Sequence, residues 1–335
     1  MILHPGILSL ILGSAIVLAM VAYGGWIGLQ ILRRWDFDSS SEGQLDLERK
    51  TSLVSTLAAY ALGFQAVSTL LYLYTVDDIH SLFVGAMCAT GSLNAAPGGW
   101  AVLAVKSLAL LLSLIWIAYN RFVQRAGDYP IVRAKYTALL GLAPLVAADL
   151  ALQIRYFTAL EPEVITSCCG ALFSEGGTGV ASELAGLPVK PMLWLFYATV
   201  AAFLAAALVC LVGRSPGSRF ALAAVSLVLL VVVLASIVSF LSLYIYELPT
   251  HHCPFDMLQR QYRFIGYPIY LTLLAAVYFG LLPGLFQPLR RVPSLSGLIA
   301  AAEPRWLTWA LVSVLAFVAI ASWPVLFGSL TMVGY

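Results

Sequence analysis

The chain has 335 residues, of which 61% are hydrophobic and only 10% charged, with a formal net charge of +2 and a mean hydropathy of +0.93. Charged residues make up about a quarter of an ordinary soluble domain, so these proportions exclude one and point to a polytopic membrane protein. Nothing in them supports nucleic-acid binding.

A helix needs about 20 apolar residues to cross roughly 30 Å of hydrocarbon, and its backbone groups must be satisfied internally. Eight stretches meet that demand: 6–32, 51–74, 100–119, 136–158, 190–212, 220–246, 265–286 and 306–330. The expected fold is therefore all-α, a single transmembrane helix bundle over 1–335. No basic segment precedes the first apolar run, and Arg33 and Arg34 follow it, so the start reads as a retained helix and not as a cleaved signal. Between the first two spans, Trp35 to Lys50 mixes signs and places Ser39, Ser40 and Ser41 ahead of acidic residues, as a capped helix start leading into span two.

Basic residues sort the loops. Arg33, Arg34, Arg49 and Lys50, then Arg121, Arg125, Arg133 and Lys135, then Arg214 and Arg219, then Arg290, Arg291 and Arg305 account for 13 of the 18 Lys and Arg, all in alternate loops. By the positive-inside rule those loops are expected to be cytoplasmic, with both termini and the remaining loops outside, in a bacterial inner membrane.

That assignment uses neither cysteine nor histidine, yet it puts Cys88, Cys168, Cys169, Cys253 and all four histidines on the outer side. The cysteines open three similar stretches: Cys88-Ala-Thr-Gly-Ser-Leu93, Cys168-Cys169-Gly-Ala-Leu-Phe173 and Cys253-Pro-Phe-Asp-Met-Leu258, the last preceded by His251-His252. Cys210, near the other end of span five, reads as a small buried apolar residue.

Four thiols beside histidines admit three uses. As structural disulfides, Cys168 and Cys169 are adjacent and ill-suited to bond each other, so Cys88 is expected to pair with one of them and Cys253 with the other. As redox thiols, Cys253 would be the reactive group with His252 as its activator, and Cys168, Cys169 and Cys88 the resolving partners. Electrons would pass to a membrane quinone, although no Cys-x-x-Cys is present. As a metal site, His251, His252, Cys253, Cys168 and Cys169 would suit copper(I) or zinc(II). The redox use is the preferred expectation, in a subunit of a larger assembly; metal binding or transport comes second, and a structural anchor with disulfide-fixed loops third.

Within the membrane, Lys106 and Asp149 fall at similar depth, roughly 9–14 Å below the outer surface at 1.5 Å per residue. Charges there are costly and tend to pair or to mark pathways. The expectation is a polar pair serving as structure, proton relay or anchor for a quinone head group, with Gln153 on the same helix face as Asp149. No histidine lies in any predicted span, which argues against bis-histidine haem, and no phosphate-binding Gly-Lys-Ser/Thr loop is present.

Overall fold

The computed structural model describes residues 2–36, 41–126, 128–166, 180–213 and 215–332. The fold is all-α, with eight helices long and apolar enough to cross a membrane. They are α1 (Pro5–Arg34), α2 (Glu42–Asp78), α3 (Gly99–Arg125), α4 (Val132–Thr158), α5 (Val189–Gly213), α6 (Pro216–Ser236), α7 (Gly266–Leu285) and α8 (Pro293–Phe327). The protein is a multi-span helical membrane protein. α6 continues through a π-helical turn, Ile237–Leu241, into Ser242–Tyr246.

Local chemistry sets several helix ends. Ser41 caps α2 by accepting from the Gln44 amide, and Ser215 caps α6 by accepting from the Ser218 amide. Proline stands in the first turn of α1 and of α6, where its missing N–H costs nothing. Two helices outrun the apolar stretches that announce them. At 37 residues α2 is about 55 Å long, far more than the hydrocarbon needs, because its capped polar start is helical too. α8 begins at Pro293 and absorbs Glu303-Pro304-Arg305, a run that reads as loop in the sequence. The helix tolerates Glu303 because that carboxylate is buried against two arginines: Arg219 Nε stands 2.5 Å from Oε1 and Arg290 Nη2 2.6 Å from Oε2.

The chain forms two compact units. The first comprises α1 to α4, in which α1 and α3 each pack against both α2 and α4. Its core runs through Val17, Val21, Ile27, Val54, Ala58, Leu139 and Val146. Small residues permit close approach where apolar burial alone gives no drive between helices in lipid. A Cβ on Gly28 would stand 3.0 Å from the Tyr136 ring, so α1 and α4 touch nearly backbone to side chain there.

The second unit contains residues 85–91, α5 to α7, and α8 from Ser296 onward. α6 packs against α5 and α7. α8 joins α5 through Phe196 on Phe317 (centroids 5.9 Å apart) and the Tyr197 hydroxyl donating to Ser322 Oγ at 3.0 Å, and joins α7 through Phe286 on Trp306 at 5.1 Å.

Candidate functional site

The segment between α6 and α7 carries His251-His252-Cys253-Pro254-Phe255-Asp256, and its shape is imposed by the two helices that flank it. Glu247, at φ 55°, stops the helical run that ends at Tyr246. The Tyr246 hydroxyl then donates to the Cys253 carbonyl at 2.6 Å and accepts from the Met257 amide at 2.9 Å. From α7, the Tyr270 hydroxyl donates to the Pro254 carbonyl at 2.6 Å. Gly266 lies so close that a Cβ there would come within 2.6 Å of Met257 Cγ. Two tyrosines and one glycine thus hold the six-residue segment as a fixed loop, and Asp256–Leu258 closes it as a 3₁₀ turn.

This loop meets residues 85–91 of the same unit. Gln259 Nε2 donates to the Met87 carbonyl at 2.8 Å, and Cys88 Sγ lies 3.4 Å from Cys253 Sγ. A bonded pair would be about 2.05 Å apart, so these two sulfurs touch without being linked to each other. Thr90 Oγ1 is 3.5 Å from Cys253 Sγ, the Phe255 amide donates to that sulfur at 3.4 Å, and the thiol itself donates to Asp256 Oδ1 at 3.4 Å. His251 Nε2 contacts the other carboxylate oxygen. Cys88, Cys253 and Asp256 are all buried, and one ligand atom from each lies within 4.8 Å of the others. Burial pushes the Asp256 carboxyl up, but hydrogen bonds from His251, Cys88 and Cys253 together outweigh it and hold the carboxyl below its ordinary range.

His252 faces elsewhere. Its Nδ1 is 2.8 Å from the Val238 carbonyl, inside the π-helical turn, where the widened helix redirects a backbone acceptor. Consecutive residues in an irregular loop point apart, so His251 reaches the thiol-bearing cluster through Asp256 while His252 is committed to α6. Cys168 and Cys169, and with them the predicted pairings to Cys88 and Cys253, lie outside the described residues. Asp256 is not singled out by the sequence as a site residue; its one signal is its place three residues after Cys253, whose thiol the loop brings onto its carboxylate.

Lys106 and Asp149 meet inside the first unit. Lys106 Nζ stands 3.1 Å from Asp149 Oδ2, with both side chains fully buried. Gln65 Nε2 donates to the same oxygen at 2.7 Å, and Lys106 also donates to Ser68 Oγ at 3.0 Å. Lys135, which the sequence places in a loop, is instead fully buried with Nζ 2.5 Å from Ser55 Oγ. Cys210 is buried on α5. No protein-family model, curated protein or solved structure matches the chain.

Proposed function

We propose that this membrane protein binds a thiophilic metal ion of the zinc class at Cys88, Cys253 and Asp256. The observation that carries the reading is the convergence of two sulfurs and a carboxylate, all buried, from two segments distant in sequence. Two thiolates on tetrahedral zinc stand about 3.8 Å apart, given Zn–S bonds near 2.3 Å. The 3.4 Å sulfur separation needs only a few tenths of an ångström of opening to match it. Charge supports a divalent ion. Two thiolates and a carboxylate sum to −3, of which a dication offsets two, and a His251 ring nitrogen stands against the carboxylate. His251 thereby serves as the outer partner that orients a ligating carboxylate. The alternation of basic loops favours a position outside the cytoplasm, in the inner membrane, where transport of the ion or its delivery to partner subunits is the corresponding role.

Redox work by the same thiols is the second reading, favoured by the sulfur contact itself. Cys88 and Cys253 would form one S–S bond, giving two electrons and two protons to a quinone, which becomes quinol. One feature weighs against it: both sulfurs are buried, away from an exchanging partner.

The deciding experiment is metal analysis of the purified protein after dialysis against zinc, with intact mass measured before and after reductant. One ion per chain, lost in Cys253→Ser, is expected. A protein that binds no zinc and gains two hydrogens on reduction would replace the metal reading with the redox one.

A further inference from the structure

The polar layer inside the first unit has a defect of one kind only. Six buried polar side chains, from Ser14 on α1, Gln65 and Ser68 on α2, Lys106 on α3, and Asp149 and Gln153 on α4, meet in the interior of the four helices. Gln153 Nε2 donates to Ser14 Oγ at 3.0 Å and leans on the Asp149 carbonyl at 3.4 Å. Asp149 Oδ2 accepts from both Lys106 and Gln65. Yet Asp149 Oδ1, Gln65 Oε1 and Gln153 Oε1 are buried with no hydrogen-bond partner. Turning either glutamine amide over does not cure this, because it would set a carbonyl against the Asp149 carboxylate or against its backbone carbonyl. An orphaned acceptor is costly when buried. All three orphans are acceptors, and one of them is the second oxygen of the Asp149 carboxylate itself.

The surroundings are asymmetric along the helices. From Asp149 toward one end, buried polar groups continue turn by turn: Ser68, Thr69, Tyr72 and Thr75 on α2, and Gln153 and Tyr156 on α4. Toward the other end, Ala58, Ala61, Leu62, Leu139, Leu142 and Val146 supply carbon, interrupted by buried Ser113 on α3, before the polar group of Ser55, Asn120 and Lys135. The charged and titratable groups facing the carboxylate are Lys106 from α3 and, further along, Tyr72 from α2, whose hydroxyl is committed to the Gly99 carbonyl at 2.9 Å. α1 contributes only Ser14.

We propose that Asp149 is a proton-exchanging carboxyl within the membrane, with Lys106 as its counter-ion, Gln65 and Gln153 as acceptors for the bound proton, and access along the polar stripe toward Thr75. A proton arriving from water forms the Oδ1–H bond at the oxygen left idle by the protein's own donors, and supplies one donor for the two glutamine oxygens. Its release restores the carboxylate held by Lys106 and Gln65. The proposal does not depend on a metal at the thiol centre.

Infrared difference spectroscopy on the full chain in lipid nanodiscs, stepped from neutral to acid pH, tests it. The expected result is a protonated-carboxyl C=O band that grows on acidification, shifts in D₂O and with ¹³C-aspartate, and is lost in Asp149→Asn. Should that variant not fold, Gln153→Leu serves: removal of an acceptor raises the band's frequency. A spectrum without a pH-dependent band, a band that persists in a folded Asp149→Asn, or one unmoved in Gln153→Leu overturns the proposal and leaves a fixed ion pair.

Discussion

The thiol cluster and the Lys106–Asp149 layer both bury ionisable groups, but they are built in opposite ways. The first is made from loops: its sulfurs and carboxylate owe their positions to backbone clamps supplied by Tyr246 and Tyr270. The second is made from helix faces, with each group delivered by the register of a long span and no loop involved. A loop site can be re-shaped by removing a clamp, whereas a helix-face site fails chiefly when its charge balance is broken. The contrast teaches where each is vulnerable.

The largest expected effect breaks that balance. Asp149→Leu strands the Lys106 cation in the bundle and should cost about 3–5 kcal/mol, whereas the double variant with Lys106→Met should recover most of the loss. Thermal unfolding in detergent reads both, and a double variant no more stable than the single one would show that the pair is not a self-contained unit. Next comes the clamp. Tyr246→Phe removes the hydroxyl's hydrogen bonds to the Cys253 carbonyl and from the Met257 amide, at about 1–3 kcal/mol each, and should weaken zinc binding with little effect on the infrared band of Asp149. His251→Ala should lower zinc affinity about 10- to 100-fold, as expected for an outer partner of a ligating carboxylate, measured by competition with a zinc-sensitive dye. An unchanged affinity would detach His251 from the site.

The smallest effect concerns Glu247. Its carboxylate accepts from the Ser329 amide at 3.0 Å, and the backbone and hydroxyl contacts of Ser329 hold its pKa below the ordinary value. The sign follows from a depressed carboxyl: the contact is present above the folded value and lost as pH falls through it. The protection of the Ser329 amide, its exchange compared with the intrinsic rate at each pH, should fall on acidification, and Glu247→Gln should flatten that dependence.

The eight spans were legible because lipid imposes length and apolarity directly on composition, and span count follows from those two quantities. Helix ends were less so. Lys135 lies one residue before the apolar stretch of the fourth span and looked like a loop cation, but the helix begins at Val132 and turns it inward toward Ser55. Glu303 suggested a loop for the same reason, since its arginine partners lie 84 and 13 residues away in the chain. Of the two candidate sites, the approach of Lys106 to Asp149 could be anticipated from depth along straight helices. The approach of Cys88 to Cys253, across 165 residues, could not, because it depends on how two irregular loops close.

One feature of the second unit sets how much change that loop site can accept. The π-helical turn at Ile237–Leu241 amounts to one residue more than an α-helix would use over the same rise. Deleting a single residue there would restore ordinary winding and leave the helix after it close to its place, because the widened turn is what absorbs the extra residue. Tyr246 would keep its reach to the Cys253 carbonyl, while His252 would lose the Val238 oxygen that the wide turn turns toward it. The anchor of His252 is thus encoded by residue count in a helix that touches neither sulfur.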